Sequence, residues 1–311
     1  MSESHVLPGM NIKKLPAYIF IWLMPAALLS GCGNDSDSVL SSFPEPESWT
    51  LTQLDDGVEL IQRHYDSLFD APQFIHVVSV TPDAGDIGLG FSSGYLFDDL
   101  RKPVSRYGER LGAIAATNSG FGHGGPDYAN SGILKIDGEL LPFFDDEPDE
   151  LHFVGSSAVG LDEDGMPVFR TRNGDDWDDE WPEVDYAMAG GHMLVTGGSV
   201  YPVVYDESYT THIEDRHSAV RHPRTAICRT YGGHTLLIAA DGRHDGEAEG
   251  LTLNELARFM LDLGCMDGIN LDGGGSTTMW TAAKGVVNHP TDNQEFDHEG
   301  EREIKTVIYV K

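Results

Sequence analysis

Cysteine and positive charge are scarce in this sequence. Its 311 residues include 3 cysteines and 20 lysines and arginines, against 51 aspartates and glutamates, for a formal net charge of −31. No CxxC pair and no Cys/His zinc spacing occurs, which excludes the common structural zinc sites. Because so acidic a surface repels nucleic-acid phosphates and anionic lipid headgroups, no nucleic-acid partner is expected.

Several catalytic motifs are also missing. The glycine-rich stretch GGGSTT contains no lysine, so it is not a Walker A loop, and no G-x-G-x-x-G follows a strand. The chain has no G-x-S-x-G nucleophile elbow. Its clustered histidines lack the i, i+4 spacing with an intervening acid that zinc proteases use; they are His217, His222, His234 and His244. Each of them is therefore interpreted as structural or exposed.

An apolar segment near the start is too short to predict a membrane span. It runs from Leu15 to Leu29, follows Lys13 and Lys14, and ends in Ser-Gly-Cys at Cys32. A charged region, a short apolar region and small residues are typical of an export signal. The ending resembles a bacterial lipobox, which predicts a lipid anchor on Cys32 and a periplasmic or outer-membrane location. An ordinary signal peptide that happens to end near a cysteine is the alternative.

Composition divides the chain into three parts. Residues 1–32 are predicted to be the signal, 33–48 a flexible acidic tether rich in Ser, Asp and Pro, and 49–311 a single catalytic domain. Two acidic clusters, residues 145–150 and 175–185, are interpreted as solvated loops. Calcium binding is the weaker reading because neither cluster has the spaced ligands and glycine of an EF-hand.

Two cysteines lie outside the signal, Cys228 and Cys265. An oxidising compartment permits a bond between them. The sequence does not show whether their Cα atoms come within bonding reach, so a disulfide and two buried free thiols both stay open.

The second half shows clear secondary structure. An apolar strand is predicted from His234 to Ala240 and another from Gly268 to Leu271, with a helix between them that begins at Thr252. Glu255, three residues after Thr252, completes a capping box, and Gly264 is the stop signal. A strand, helix and strand of this length predict a parallel unit. We therefore expect a mixed α/β fold, a central twisted sheet with flanking helices.

Both strands of that unit end at an acid. Asp241 follows the first strand and Asp272 the second, so a parallel unit brings both carboxylates to one edge of the sheet. Three glycines follow Asp272, at positions 273, 274 and 275, and their unshielded N–H groups are suited to binding an anion. A tight turn that needs positive φ angles is the alternative explanation, which accounts better for one glycine than for three.

Arginines cluster just upstream, in a chain that otherwise has few basic residues. Arg221, Arg224, Arg229 and Arg243 are predicted to form a positive island, because guanidinium binds phosphate oxygens in a forked geometry. Pairing with surface carboxylates is an equal alternative for any one of them. At least one is expected to point into the site.

The order of these motifs resembles the phosphodiester glycosidase family. The resemblance covers about residues 49–311. The motifs that carry it are ATNSGF at 116–121, GGHML at 190–194, RHPRTA at 221–226, ADGR at 240–243, GLT at 250–252, NLDGGGST at 270–277, VNHP at 287–290 and ER at 301–302.

The resemblance implies hydrolysis of a sugar that is joined through its anomeric carbon to a phosphodiester. A phosphate monoester leaves readily as an anion, so the reaction needs a carboxylate for the sugar carbon and donors for the phosphate. Asp272 and Asp241 are the catalytic candidates. The predicted sugar- and phosphate-binding residues are Asn118, Arg224, Arg243, Gly273, Gly274, Gly275, Ser276, Thr277 and Asn288.

The predicted partners are a glycan phosphodiester and, through the anchor, a membrane. The residues require no cofactor, although a divalent cation bridging acid and phosphate is possible. A non-catalytic binder of phosphorylated glycans in envelope polysaccharide biogenesis is the alternative function, because the same groups would bind without cleaving. Carboxylates beside an anion site weaken simple phosphate binding, which favours the enzyme.

Overall fold

The computed structural model describes residues 38–82, 84–97, 99–122, 125–144, 154–172, 181–201 and 215–311. Strands dominate these residues, so the expected mixed α/β fold is wrong. The strands are β1 (Thr50–Asp55), β2 (Val58–Leu68), β3 (Ala71–Val80), β4 (Leu89–Ser93), β5 (Ala115–Asn118), β6 (Asn130–Ser131), β7 (Leu134–Ile136), β8 (Glu139–Leu140), β9 (Phe143–Phe144), β10 (Ser157–Leu161), β11 (Pro167–Thr171), β12 (Tyr186–Ala189), β13 (Met193–Thr196), β14 (Ser199–Val200), β15 (Arg224–Thr230), β16 (Thr235–Ala240), β17 (Cys265–Asn270), β18 (Met279–Thr281), β19 (Gly285–Val286) and β20 (Thr306–Val310).

Antiparallel pairing organises three larger sheets. The first has eight strands in the order β1-β2-β3-β16-β15-β17-β13-β14. Two sheets of five strands follow the orders β11-β10-β12-β7-β8 and β19-β18-β5-β20-β4. The small sheet of β6 and β9 is a parallel pair.

Two α-helices accompany these sheets in the described residues, α1 (Val104–Leu111) and α2 (Leu253–Asp262). The capping box of α2 is confirmed, because the Thr252 hydroxyl accepts from Glu255 N–H while the Glu255 carboxylate accepts from Thr252 N–H. Gly264 follows its end with a φ of 81°. No helix in the described ranges is long and apolar enough to cross a membrane.

The eight-stranded sheet is covered on both faces, which explains its continuous apolar strands. In β16, Leu237 points into the core shared with the two five-stranded sheets, whereas Leu236 and Ile238 point into a second core. The second core also contains Leu256 and Met260 of α2. Because side chains alternate along a strand, a strand buried on both faces needs apolar residues at successive positions.

The strand, helix and strand unit differs from the expected one in a specific way. Strand β15 lies between β16 and β17 and pairs antiparallel with both. β16 and β17 therefore run in the same direction, as predicted, but they are not neighbours. The sequence does not indicate that the preceding strand inserts between them, and this insertion makes the sheet antiparallel.

Part of the predicted tether is packed. Val39 is 5% exposed and Phe43 is 3% exposed, and both contact the second core beside Trp49. The Ser38 hydroxyl donates to the Glu59 carboxylate. Val39 and Phe43 thus anchor this part of the chain to the domain, and two apolar side chains in a polar stretch are too few to show a periodic pattern. Flexibility of the tether stays a prediction. The signal segment and Cys32 lie outside the described residues, as do residues 145–150 and most of the second acidic cluster.

A disulfide joins β15 to β17. Cys228 and Cys265 are bonded, their Cα atoms are 5.8 Å apart and both residues are fully buried. Their sequence separation is 37 residues. The question that the sequence left open is therefore answered in favour of the bond.

Replacing both cysteines with alanine is expected to lower the free energy of unfolding by about 3 kcal/mol, because the bond restricts the unfolded chain. Urea denaturation of the oxidised protein and of the double variant measures the difference. Dithiothreitol should lower the midpoint of the native protein and leave that of the double variant unchanged. Equal midpoints for native protein and variant without reductant would contradict the prediction.

Candidate functional site

Asp241 and Asp272 emerge at the same edge of the large sheet. Arg224, the first residue of β15, pairs with Ala240, and Ala226 pairs with Asn270. The two acids therefore follow strand ends that flank the start of β15. This placement is the one that the sequence predicted, although an antiparallel strand lies between the two ends.

Asp241 is fully buried and saturated with hydrogen bonds. Its Oδ2 lies 2.9 Å from His76 Nε2 and 2.7 Å from His289 Nδ1. Its Oδ1 accepts from the His289 backbone N–H at 2.9 Å and from Asn288 Nδ2 at 3.2 Å. Burial alone would raise the pKa of this carboxyl, but the two histidines and their hydrogen bonds outweigh burial and hold the pKa well below its ordinary value.

Asp272 has a different environment. Its residue surface is partly exposed, yet protein atoms surround the carboxyl closely enough for burial to raise its pKa to about 6. A hydrogen bond from the Ser276 side chain, the charge of Arg302 and the Gly273 N–H act in the opposite direction and are weaker. Of the two predicted catalytic acids, Asp272 is therefore the one with open surface.

Added side chains at the three glycines after Asp272 would meet close neighbours. A Cβ on Gly273 would lie 2.7 Å from the Pro223 carbonyl oxygen. Gly274 has a φ of 61°, and a Cβ there would lie 2.8 Å from Arg243 Nη2. A Cβ on Gly275 would lie 2.2 Å from Arg302 Nη2. The glycines let two guanidinium groups approach the loop beside Asp272.

The loop amides are directed mostly into the protein. Gly274 N–H donates to the Pro223 carbonyl at 2.8 Å, and Gly273 N–H donates to the Asp272 carboxyl. The positive charge of the predicted anion site thus comes mainly from the side chains of Arg243 and Arg302, which lie over the loop. Free backbone amides contribute less. Binding by the Gly273, Gly274 and Gly275 amides stays a prediction.

The two arginines differ in how their charge is balanced. Arg302 binds Asp292 through two hydrogen bonds of 2.8 and 2.7 Å. Arg243 forms no ion pair with a carboxylate in the part of the chain that the structure describes, and burial followed by repulsion from Arg302 lowers its pKa. Its φ of 64° is rare for a residue with a side chain. Asp292 offsets part of this charge from a distance, and Arg243 Nη2 lies 3.5 Å from His222 Nδ1. A guanidinium with no direct carboxylate partner among the described residues is suited to binding an anion.

Arg224 is placed differently from its prediction. The side chain is buried, and it donates to three backbone carbonyls, those of Leu251, Val220 and His217. Burial and the nearby Arg243 lower its pKa to about 9. These contacts make Arg224 a clamp between chain segments. Arg221 is also engaged, in ion pairs with Glu249 and Glu255.

The predicted hydrogen-bonding residues form the frame of the site. Asn118 Nδ2 donates to the Asp272 carbonyl at 2.6 Å, and its Oδ1 accepts from Thr225 and from Thr278 N–H. Asn288 accepts from Met279 N–H and donates to the Thr277 carbonyl as well as to Asp241. Thr277 is buried beneath the loop. A direct role for these side chains in substrate binding stays a prediction.

Three residues of the site received no role from the sequence: His76, His289 and Arg302. His289 and Arg302 lie within the VNHP and ER motifs, so the resemblance pointed to them without a chemical reason. His76 is one of three buried polar residues in β3, with Gln73 and Ser79, and a histidine in a mostly apolar strand was the available signal.

Among the described residues, His76, Asp241 and His289 also form a set whose donor types could hold a metal, with ligand atoms within 4.8 Å of one another. Their hydrogen bonds do not fit that use. Gln62 Nε2 faces both the Val287 carbonyl and His76 Nδ1, so it is the amide nitrogen and donates to the ring. His76 then carries its proton on Nε2, facing Asp241, and has no lone pair there for a metal.

Comparison with known proteins identifies the family. The model of the phosphodiester glycosidase family matches residues 111–311, which is more than half of the chain. The chain belongs to the phosphodiester glycosidase family. It is 32% identical over 129 residues to human N-acetylglucosamine-1-phosphodiester alpha-N-acetylglucosaminidase and 30% identical over 129 residues to the mouse protein. In each case the match covers 40% of this chain and 24% of the relative, so the chain spans about a quarter of these relatives' length.

Solved structures show the same fold. The catalytic domain of the zebrafish N-acetylglucosamine-1-phosphodiester alpha-N-acetylglucosaminidase, auto-inhibited by its pro-peptide, matches with a TM-score of 0.62 at 19% identity. That match covers 88% of this chain and 92% of the zebrafish chain. A hypothetical protein from Synechocystis matches with a TM-score of 0.58 at 14% identity, over 84% of this chain and 63% of that chain.

Proposed function

We propose that this phosphodiester glycosidase family member hydrolyses a sugar-1-phosphodiester at the glycosidic C–O bond, with a substrate of the GlcNAc-α-phosphodiester type. The observation that carries the proposal is the position of Asp272 directly before a glycine loop that the guanidinium groups of Arg243 and Arg302 approach closely. Family membership supports the reaction class. The name of the human and mouse relatives, N-acetylglucosamine-1-phosphodiester alpha-N-acetylglucosaminidase, supports the sugar.

The site has one group for the sugar carbon of the breaking bond and another for the departing phosphate. The Asp272 carboxylate stabilises positive charge as it develops on the anomeric carbon. Arg243 and Arg302 stabilise negative charge on the departing phosphate monoester. Because Asp241 is buried behind His289 and Asn288, it does not contact the sugar in this proposal. It positions other groups.

The activity is tested by incubating the purified protein with a GlcNAc-α-phosphodiester in ¹⁸O-labelled water. We expect free sugar that carries the label at its anomeric carbon. Label in the phosphate would instead indicate a phosphodiesterase that breaks the P–O bond. Calorimetric binding of ligand that persists unhydrolysed would favour the non-catalytic binder.

The pH dependence follows from the raised pKa of Asp272. Only the ionised carboxylate stabilises the cationic carbon, so kcat/KM is expected to rise about tenfold per pH unit below about pH 6 and to level off above it. Initial rates of sugar release between pH 4 and pH 8 measure the profile. A profile that is flat between pH 4 and pH 6 would contradict the assignment of Asp272.

We also propose that the protein is exported and anchored by lipid on Cys32 at the periplasmic or outer-membrane face, acting on envelope or extracellular phosphoglycans. The signal-like sequence supports export. The buried Cys228–Cys265 disulfide supports an oxidising compartment. Metabolic labelling of cells with a radioactive fatty acid tests the anchor, and the Cys32→Ser variant should carry no label.

A further inference from the structure

A chain of hydrogen bonds assigns the protons of two histidines. Gln62 Nε2 lies 3.4 Å from the Val287 carbonyl, which only accepts, and 2.9 Å from His76 Nδ1. The amide nitrogen therefore donates to His76 Nδ1, which leaves the ring proton on Nε2. That proton is donated to Asp241 Oδ2 at 2.9 Å.

The contacts of Asp241 also determine which ring nitrogen of His289 carries the proton. Hydrogen bonds and histidine contacts hold the Asp241 pKa low, so its oxygens are acceptors. His289 must then donate from Nδ1, at 2.7 Å from Oδ2, while its backbone N–H donates to Oδ1 at 2.9 Å. A neutral imidazole with its proton on Nδ1 has its lone pair on Nε2.

The His289 ring is held in place with Nε2 available. The ring stacks on Phe296 with centroids 3.9 Å apart and on His298 with centroids 4.6 Å apart. Its side chain keeps 10% of its surface open, and no described residue makes a hydrogen bond to Nε2. A purely structural histidine would have both ring nitrogens satisfied or shielded.

The position of His289 connects it to the proposed anion site. Asp292, three residues later, binds Arg302, which covers Gly275. On the other side Asp241 precedes Arg243, which covers Gly274. Asn288 bridges Asp241 to the Thr277 carbonyl at the end of the glycine loop. His289 thus lies among the segments that supply both arginines.

We propose that His289 Nε2 is the base that activates the water for this reaction, and that Asp241 and His76 are positioning residues that set its tautomer. This inference rests on the proposed function. Nε2 takes a proton from water as the water oxygen bonds to the anomeric carbon. The electron pair of the breaking C–O bond leaves on the phosphate oxygen, and the imidazolium then releases its proton to solvent. The products are free sugar and a phosphate monoester.

Kinetics of His289→Asn test the base. Asparagine places an amide N–H where Nδ1–H was, so the bond to Asp241 is kept while Nε2 is lost. We expect kcat to fall at least 100-fold with KM changed less than about threefold. The matched control is His234→Asn. His234 precedes β16, at the end of the strand opposite to Asp241, and its replacement should leave kcat at the native value. Added imidazole should restore part of the activity of His289→Ala.

Near-native kcat in His289→Asn, with native protein that turns over the substrate, would overturn the inference and leave the proposed function standing. Absence of turnover by the native protein on every sugar phosphodiester would overturn the proposed function, and with it the role of His289 as its base.

A spectroscopic measurement tests the proton assignment without activity. Long-range ¹H–¹⁵N spectra of the imidazole rings should show the Nδ1–H tautomer for His289 and the Nε2–H tautomer for His76 at pH 7.5. The signals are assigned from His289→Asn and from His76→Gln. An Nε2–H tautomer for His289 would overturn the inference.

Discussion

Replacing Asp272 with asparagine is expected to lower kcat about 1,000-fold, a loss of about 4 kcal/mol of transition-state stabilisation. Asparagine has nearly the same shape and can keep the contact with Ser276, but it has no charge to stabilise a cationic anomeric carbon. Release of free sugar from a GlcNAc-α-phosphodiester measures the change. Native kcat in this variant would remove Asp272 from the mechanism.

The matched control is Asp267→Asn. Asp267 also belongs to β17, but it accepts from Gly197 N–H at 3.0 Å and does not follow the strand end that carries the site. Its replacement should change kcat less than twofold. A large loss in both variants would indicate that damage to β17, and not the missing charge, lowers the activity.

The same Asp272→Asn variant should be more stable than the native protein at neutral pH. The folded-state pKa of about 6 is above the ordinary aspartate pKa of 3.8, so the folded protein binds more protons than the unfolded chain between those pH values. Stability is therefore lost as pH rises through that window. Removing the ionisable group should raise the free energy of unfolding at pH 7 by about 1–2 kcal/mol, since solvent reaching the partly exposed carboxylate reduces the effect. Urea denaturation at pH 4 and pH 7 measures it.

Replacing Arg224 with methionine is expected to destabilise the fold by about 3 kcal/mol, or roughly 8 °C in melting temperature. Three carbonyl oxygens, on Leu251, Val220 and His217, lose their donor inside the protein, while the methionine recovers only the apolar packing. Thermal unfolding followed by circular dichroism measures the change.

Arg243→Met is the matched comparison for Arg224→Met. Because Arg243 forms no carboxylate ion pair among the described residues, its loss should leave the melting temperature within about 1 °C and raise KM. A variant pair with the opposite behaviour, in which Arg224→Met keeps native stability and loses substrate affinity, would make Arg224 the phosphate ligand that the sequence predicted.

Elements whose signals are local were predicted well. The capping box at Thr252 and Glu255 involves groups three residues apart, so sequence spacing reports it directly. The β16 and β17 strands were predicted from apolar runs bounded by Asp241 and Asp272. Their common edge was also predicted, because two strands joined through one helix tend to run in the same direction.

The antiparallel architecture of the sheet could not be predicted from such local signals. An apolar run such as that of β16 is buried on both faces in an antiparallel sheet as well as in a parallel one, once a second layer covers each face. The insertion of β15 between β16 and β17 depends on pairings between distant strands. No local pattern encodes those pairings.

Within the site, the sequence identified the residues, whereas the structure was needed to assign their roles. The sequence by itself determined the acids, the glycines and the ordered motifs, and with them the family, because these are chemical identities at fixed positions. Only the tertiary structure decided that Asp241 is enclosed while Asp272 keeps open surface, that Arg302 approaches the loop, and that Arg224 is a clamp. Burial and hydrogen-bond partners arise from segments far apart in the chain, and these surroundings determine what each charged group can do.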